Sequence, residues 1–552
     1  MSSAFRRLLV VSLSAAVLAV VLTWPLAAQL DSAGRVDSSD ARHGIWNVAW
    51  VAHALTSDPA SLFNANIFYP HPSALAFSEA NLVAGVLAIP VWLLTEDALA
   101  AGNFVIILSF VLSALATFLL VQHLTRSTTA AAASAMFFAY SPYAFSRLGH
   151  MQLLMTFGMP LTLWAMHRFV EVPAATRAFT LGLTMAVSAL ACGYYGIFVG
   201  LSVGWGLVWF GVSEGRWRRA SYWLLAAGAL AVAALVTMPF LIPYVGIRDE
   251  GFARSLDDAR LFSADWRSYF ASPKLLHEWM LPLLGSWRKV LFPGALVLAF
   301  AAATVTVTLR AKPGDFSAGG RRVIAFYVSV ATLAAWASFG PDAGLYTLLF
   351  HTLPFFELIR APGRFGVIVT LALSVLAAYS IAWIFERLAG WRRRRRAFLG
   401  VLVILTLITS TVGPLDLSDR RPVARAYQRL AQMPRGPLIE FPYFIGPDRH
   451  RHTEYMLEST LHWLPLLNGY SDHMPPETYA DSLILNTFPN PQVWDVVRRR
   501  GARYVTVHWY DYPDGGRTRA YLFGTEVGRR LRLVVDGDVS LFELMPEPSR
   551  TP

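Results

Sequence analysis

The chain has 552 residues, 55% of them hydrophobic and only 15% charged. So little charge cannot cover a soluble enzyme of this length, and the apolar residues run in long blocks, so the composition excludes that class and indicates a multi-span α-helical membrane protein. The net charge of +11 sits in arginine clusters between the blocks, which reads as a topology signal and not as nucleic-acid binding.

In chain order, Arg6-Arg7 precede an apolar run from Leu8 to Ala28. At about 21 residues it exceeds a signal peptide's core of roughly 7–15 and reads as an uncleaved first span. The loop 29–98 follows, with Asp37-Ser-Ser-Asp40-Ala-Arg-His43, then Trp46, Asn47, Trp50 and His53. One helical turn puts Asp37 and Asp40 on one face, and the His/Trp stripe fits an amphipathic helix lying along the interface. Ionisable groups beside a bilayer cost free energy and point to function. One carboxylate, Asp40 by preference, is expected to act as general base for an acceptor hydroxyl, with His43 beside it as a binding group. A helix cap with an ordinary aromatic belt is the alternative. Asn66-Ile-Phe-Tyr-Pro70-His71-Pro72 predicts a rigid turn, after which Glu79 either joins the catalytic carboxylates or caps the apolar stretch Ala80–Thr95.

That stretch is short and carries Pro90. If it does not cross, the basic residues at Arg126, Arg168/Arg177, Arg216–Arg219, Arg310–Arg322 (including Lys312) and Arg392–Arg396 all fall on the side of Arg6 and Arg7. If it crosses, every later cluster moves to the other side, against the positive-inside rule. It is therefore expected to be re-entrant or interfacial. Further spans are expected near 99–123, 129–142, 151–170, 178–193, 195–212, 222–246, 291–309, 323–339, 366–387 and 397–413. The expectation is about eleven spans in the cytoplasmic (inner) membrane, with a cytoplasmic N-terminus.

Three outward loops then carry chemistry. Tyr140-Ser-Pro-Tyr143 through Arg147, His150 and Gln152 gathers polar groups in one turn, with Arg147 suited to a phosphate or to snorkelling toward headgroups. The loop 247–290, with Asp249, Glu250, Asp257, Asp258, Asp265, Trp266, Arg267 and Lys274, is long enough for a lid. Glu357-Leu-Ile-Arg360-Ala-Pro-Gly-Arg364-Phe-Gly366 places two guanidiniums four apart, a clamp for phosphate, unless Glu357 simply pairs with Arg360. The chain from 414 to 552 is richer in charge, proline and tyrosine. Strands are expected at Leu438–Phe441, Ala502–His508, Leu531–Val535 and Ser540–Leu544, and helices at Asp481–Leu485 and Val493–Arg500. The domains expected are a polytopic domain, 1–413, and a small extracytoplasmic α+β domain, 414–552.

The lone Cys192 excludes an internal disulfide. No nucleotide loop, nucleophile elbow or zinc signature is present. No cofactor is expected and no metal site is assigned, Mg²⁺ or Mn²⁺ on Asp, Glu and His being the alternative.

An outward carboxylate pair after the first span, a re-entrant follow-on and many later spans resemble the GT-C superfamily of membrane glycosyltransferases. Asn66–Pro70, Tyr140–Gln152, Arg360–Gly366, Asn468-Gly-Tyr-Ser471 and Gly501-Ala-Arg-Tyr-Val505 sharpen this toward bacterial proteins similar to the YfhO-like and PMT-like types. The resemblance implies a polyprenyl-phosphate-linked sugar donor and a lipid, glycan or protein acceptor on the outer face of the membrane. It implies deprotonation of the acceptor by Asp37 or Asp40, and stabilisation of the leaving phosphate by Arg147, Arg360 or Arg364. Asp-Ser-Ser-Asp stands here where better-known members carry Asp-Glu, and no Trp-Trp-Asp motif is present. The competing readings are a transporter or flippase for lipid-linked saccharide and a non-catalytic envelope-assembly protein.

Overall fold

A computed structural model describes residues 3–249, 254–286, 289–310, 316–353, 356–524 and 531–545; Glu250 and Lys312, and the side chains of Arg6, Arg7 and Asp249, lie outside this description. The chain divides into two compact units. The first comprises Met1–Ala28, Phe104–Ile242 and Gly251–Asp416; the second comprises Gln29–Asn103, Pro243–Glu250 and Leu417–Pro552.

The first unit is a helical bundle. Helices lie under the expected spans, among them Ser3–Leu22, Thr128–Ala139, Ala175–Ala191, Ala295–Leu309, Ala318–Ser338 and Arg392–Ser410, with one interruption described below. Among the described residues, four helical stretches are long and apolar enough to cross a membrane: Ala98–Thr125, Gly193–Ser213, Ala220–Ile247 and Pro362–Arg387. Leu224, Leu235 and Ile242 on one of them, and Val401 and Ile404 on Arg392–Ser410, are exposed. Such side chains need lipid, not water, as their solvent. The chain is a polytopic α-helical membrane protein.

Inside the bundle the polar side chains bond across helices. Tyr140 donates to the Ala15 carbonyl at 2.9 Å, Ser134 to Ser374 at 2.9 Å and Thr304 to Leu376 at 2.6 Å. With no water to satisfy these groups, interhelical bonds hold the helices in register. The expected span 151–170 is interrupted: Met151–Leu154 and Gly158–Glu171 are separate helices. Gly158, the first residue of the second, packs closely on Ser188: a Cβ there would lie 2.5 Å from Ser188 Oγ and 3.0 Å from its Cα.

The second unit joins the segment Gln29–Asn103 to the tail. β1 (Ala33–Gly34) pairs antiparallel with β2 (Ser418–Asp419). The Asn103 carboxamide donates to the carbonyls of Leu30 and Ala33, at 2.8 Å each. The helix Ser39–Ser57 starts at Ser38, whose hydroxyl accepts the Ala41 amide at 3.3 Å. Trp46 and Trp50 on it are 1% and 8% exposed. They are core residues and not the expected interfacial belt: their indole N–H groups donate to Asn66 Oδ1 at 3.2 Å and the Leu62 carbonyl at 2.8 Å. The Leu82–Thr95 helix packs on Ser39–Ser57 through Gly85. Its 14 residues give roughly 21 Å of length, short of the roughly 30 Å hydrocarbon core.

The tail builds a sheet ordered β3-β4-β6-β5 from β3 (Leu438–Phe441), β4 (Tyr504–His508), β5 (Leu531–Val535) and β6 (Val539–Leu544). β3 and β4 are parallel, with Leu438 opposite Tyr504. The helices Pro476–Leu485 and Gln492–Arg499 lie in the crossover between them, as a parallel pair requires. Ile439, Phe441, Trp494, Val505, Val507 and Phe542 form the core.

Candidate functional site

In the first unit, a basic cluster assembles on two adjacent tyrosines. Gly193–Ser213 begins at Gly193, so Tyr194 and Tyr195 sit on its first turn. The Tyr195 hydroxyl donates to the Leu153 carbonyl at 2.7 Å and lies 3.1 Å from the Tyr143 hydroxyl. Tyr143 carries the Arg147 guanidinium over its ring, 5.0 Å from the centroid. Tyr194 accepts the Arg360 amide at 3.0 Å and carries the Arg364 guanidinium at 4.1 Å. Arg360 and Lys289 both lie over Phe262, at 5.2 and 4.9 Å. The tyrosine pair therefore links the Arg147 turn to the Arg360–Arg364 turn. Stacked guanidiniums keep their planar donors oriented, the arrangement that suits a phosphate. His150 belongs to the same turn: its amide bonds to the Arg147 carbonyl at 2.8 Å, and it precedes the Met151–Leu154 helix.

In the second unit, the two aspartates separate chemically. Asp37 receives Arg35 Nε at 2.9 Å and the second guanidinium nitrogen at 3.1 Å. Those bonds hold its carboxyl below the usual range, making it a poor base. Asp40 stands on the first turn of Ser39–Ser57, one turn before His43. Burial pushes the His43 imidazole down, while the carboxylates of Asp472 and Asp40 both act to raise it. The ring lies 5.7 Å from Trp46 and edge-on to Tyr470 at 6.1 Å, and Arg449 covers Tyr470 at 5.8 Å. The turn is fixed from the tail: Arg42 donates to Thr453 Oγ1 at 3.1 Å and pairs with Glu454 at 3.7 Å. Asn81 occupies the cap position of Leu82–Thr95, and Glu79 stands two residues before it. The Glu79 carbonyl accepts Asn47 Nδ2 at 3.0 Å. Among the described residues, no group of three or more His, Cys, Asp or Glu is arranged to hold a metal ion.

A family model for a domain of unknown function, DUF6311, matches residues 13–409. The chain belongs to the DUF6311 family. No curated protein matches it. Among solved structures, this DUF6311 chain is similar to the mycobacterial arabinofuranosyltransferase AftD, with a TM-score of 0.59 at 15% identity over 98% of its length. It spans 40% of AftD. It also matches the oligosaccharyltransferase AglB from Archaeoglobus fulgidus (TM-score 0.46, 14% identity, 91% of this chain and 69% of AglB). ArnT from Cupriavidus metallidurans follows at TM-score 0.42 and 14% identity, over 98% of both chains. The likeness to AftD is one of fold, and that fold is GT-C.

Sequence reasoning on this DUF6311 chain did not find Tyr194, Tyr195, Lys289, Arg449 or Asp472. A tyrosine pair at the end of an apolar helix carries no signal beyond an aromatic belt. Asp472 directly follows the Asn468–Ser471 motif, and that adjacency was the available signal.

Proposed function

We propose that this protein is a glycosyltransferase that moves a sugar from a polyprenyl-phosphate-linked donor to an acceptor hydroxyl on the outer face of the cytoplasmic membrane. The observation that carries the reading is the tyrosine-mounted cluster of Arg147, Arg360 and Arg364 in a chain of GT-C fold. In this reading the guanidiniums hold the donor phosphate and stabilise the charge that develops as it leaves. Asp40 takes the proton of the acceptor hydroxyl, whose oxygen attacks the anomeric carbon while the bond to the phosphate oxygen breaks. His43 is held neutral by burial and orients the acceptor; Asp37 is bound to Arg35 and stays out of the proton transfer. The acceptor is a lipid, glycan or protein, and no metal takes part.

Membranes containing Asp40→Asn, Asp37→Asn or the unaltered protein, supplied with a labelled polyprenyl-phosphate sugar, test this. Asp40→Asn should lower transfer roughly 10²–10⁴-fold, the usual worth of a positioned base, and Asp37→Asn should leave most of it. Full transfer by Asp40→Asn would remove Asp40 as base. Donor movement across the membrane without transfer would favour a flippase.

A further inference from the structure

The first unit holds a second polar site, at the other end of the helix Gly366–Arg387. Arg364 lies just before Gly366–Arg387, whereas Tyr379, Trp383 and Glu386 on the last two turns line a cavity of about 510 Å³. The helix rise of 1.5 Å per residue puts roughly 30 Å between the two places. The cavity collects the end of Ala98–Thr125, the end of Gly158–Glu171 and the start of Ala318–Ser338. Its size is that of a small-molecule or headgroup site.

The cavity's charges are of both signs. Glu171 is paired with His123 Nε2 at 2.9 Å, and Glu214 with Arg216 at 2.8 Å and Arg322 at 4.0 Å. Among the described residues, two charges at the rim are left over: the Arg126 guanidinium and the Glu386 carboxylate make no hydrogen bond or ion pair. Deeper in, His167 is only 2% exposed and bonds the Tyr327 hydroxyl through Nε2 at 3.0 Å. A polyanion such as a nucleotide would meet Glu171, Glu214 and Glu386, and a bare cation would meet Arg126 and Arg322. A ligand carrying both signs satisfies both remaining charges. The helix ends that frame the cavity stand where a span meets headgroups.

We infer that this cavity binds a zwitterionic phosphate ester, a phosphate bearing a primary ammonium, as presented by the headgroup of phosphatidylethanolamine or by free phosphoethanolamine. Arg126 takes the phosphate and Glu386 takes the ammonium. The inference is independent of the glycosyl-transfer reading.

The full-length protein, stripped of lipid in detergent, would be offered equal phosphatidylethanolamine and phosphatidylglycerol and examined by native mass spectrometry. The unaltered protein should retain the ethanolamine lipid about tenfold better, the equivalent of one charge-assisted contact. Glu386→Gln should bring retention to parity, whereas Arg126→Asn should lower retention of both lipids about tenfold, because both carry the phosphate. Both residues are exposed, and asparagine tolerates the left-handed backbone at Arg126 (φ 58°), so neither change should shift the melting temperature. Arg394→Gln, on a different exposed turn, should leave the preference intact. Displacement of the lipid by free phosphoethanolamine would assign the site to the headgroup alone, and retention against it would assign it to the whole lipid. Equal retention of both lipids by the unaltered protein, no retention of either, an undiminished preference in Glu386→Gln, or undiminished retention in Arg126→Asn would overturn the inference.

Discussion

Tyr194 does two things at once: its hydroxyl accepts the Arg360 amide and its ring supports Arg364. Tyr194→Phe keeps the ring and loses one hydrogen bond, worth about 0.5–1.5 kcal/mol, so the donor KM should rise by roughly 3–10-fold. Arg364→Lys keeps the charge but loses the planar stack and fork, and should raise the donor KM further than Tyr194→Phe does. An unchanged KM in both variants would take this cluster out of donor binding. The buried ionisable groups of the tail set a pH dependence. Burial pushes His452 and His462 down to about 4, whereas burial beside Glu440 raises Glu458 to about 7. The histidines bind protons in the unfolded chain that they refuse in the folded one, so between about 4 and 6.5 they make stability rise with pH. Glu458 holds a proton in the folded chain that the unfolded chain releases, so between about 4.5 and 7 it makes stability fall with pH. The melting temperature of the tail should therefore climb toward pH 6.5 and then slip. In Glu458→Gln the climb should steepen and the slip disappear, as thermal unfolding by tryptophan fluorescence would record.

At the scale of elements, the short hairpin Ser39–Ser57/Leu82–Thr95 rests on one residue without a side chain. A Cβ at Gly85 would lie 2.3 Å from Val51, so Gly85→Ala forces the helices apart. Overpacking of this kind costs about 1–3 kcal/mol, which should appear as a lower melting temperature and, because Asp40 rides on the same helix, as weaker transfer. The helices and strands themselves were largely legible. Apolar runs gave the bundle's helices, and alternating or apolar short runs gave β3 to β6 within a residue or two. The interruption at Met155–Phe157 was missed although Gly158 and Pro160 mark it locally: a proline has no amide for the turn before it and fits only in the first turn of a helix, and the apolar run around it masked that signal. Trp46 and Trp50 were misplaced for another reason. Their spacing fits an interfacial stripe and a buried face equally well, and only the partners Asn66 and Leu62 decide between them.

For the whole molecule, the arginine clusters argue that the tail and the Arg392–Arg396 turn face opposite sides of the membrane. Cys192 is fully buried, so Cys192→Ser gives a silent background for labelling. In it, Gln432→Cys should react with a membrane-impermeant maleimide on spheroplasts, and Arg394→Cys only after permeabilisation. The reverse pattern would invert the topology.

Composition and periodicity by themselves determined that this chain is a polytopic helical membrane protein with a small α+β tail, because those signals are local and repeat within a few residues. They also marked Asp40, His43, Arg147, Arg360 and Arg364 as charges in costly positions. What only the tertiary structure decided is which of these groups have partners. It locked Asp37 to Arg35, set Asp472 and Asp40 to act on His43, joined Arg147 to Arg364 through Tyr143, Tyr195 and Tyr194, and gathered Gln29–Asn103 with the tail in one unit. Apart from the near neighbours Arg35–Asp37 and Asp40–His43, those pairings run between residues tens to hundreds of positions apart, and the energies of all of them depend on distance and burial, which sequence order does not carry.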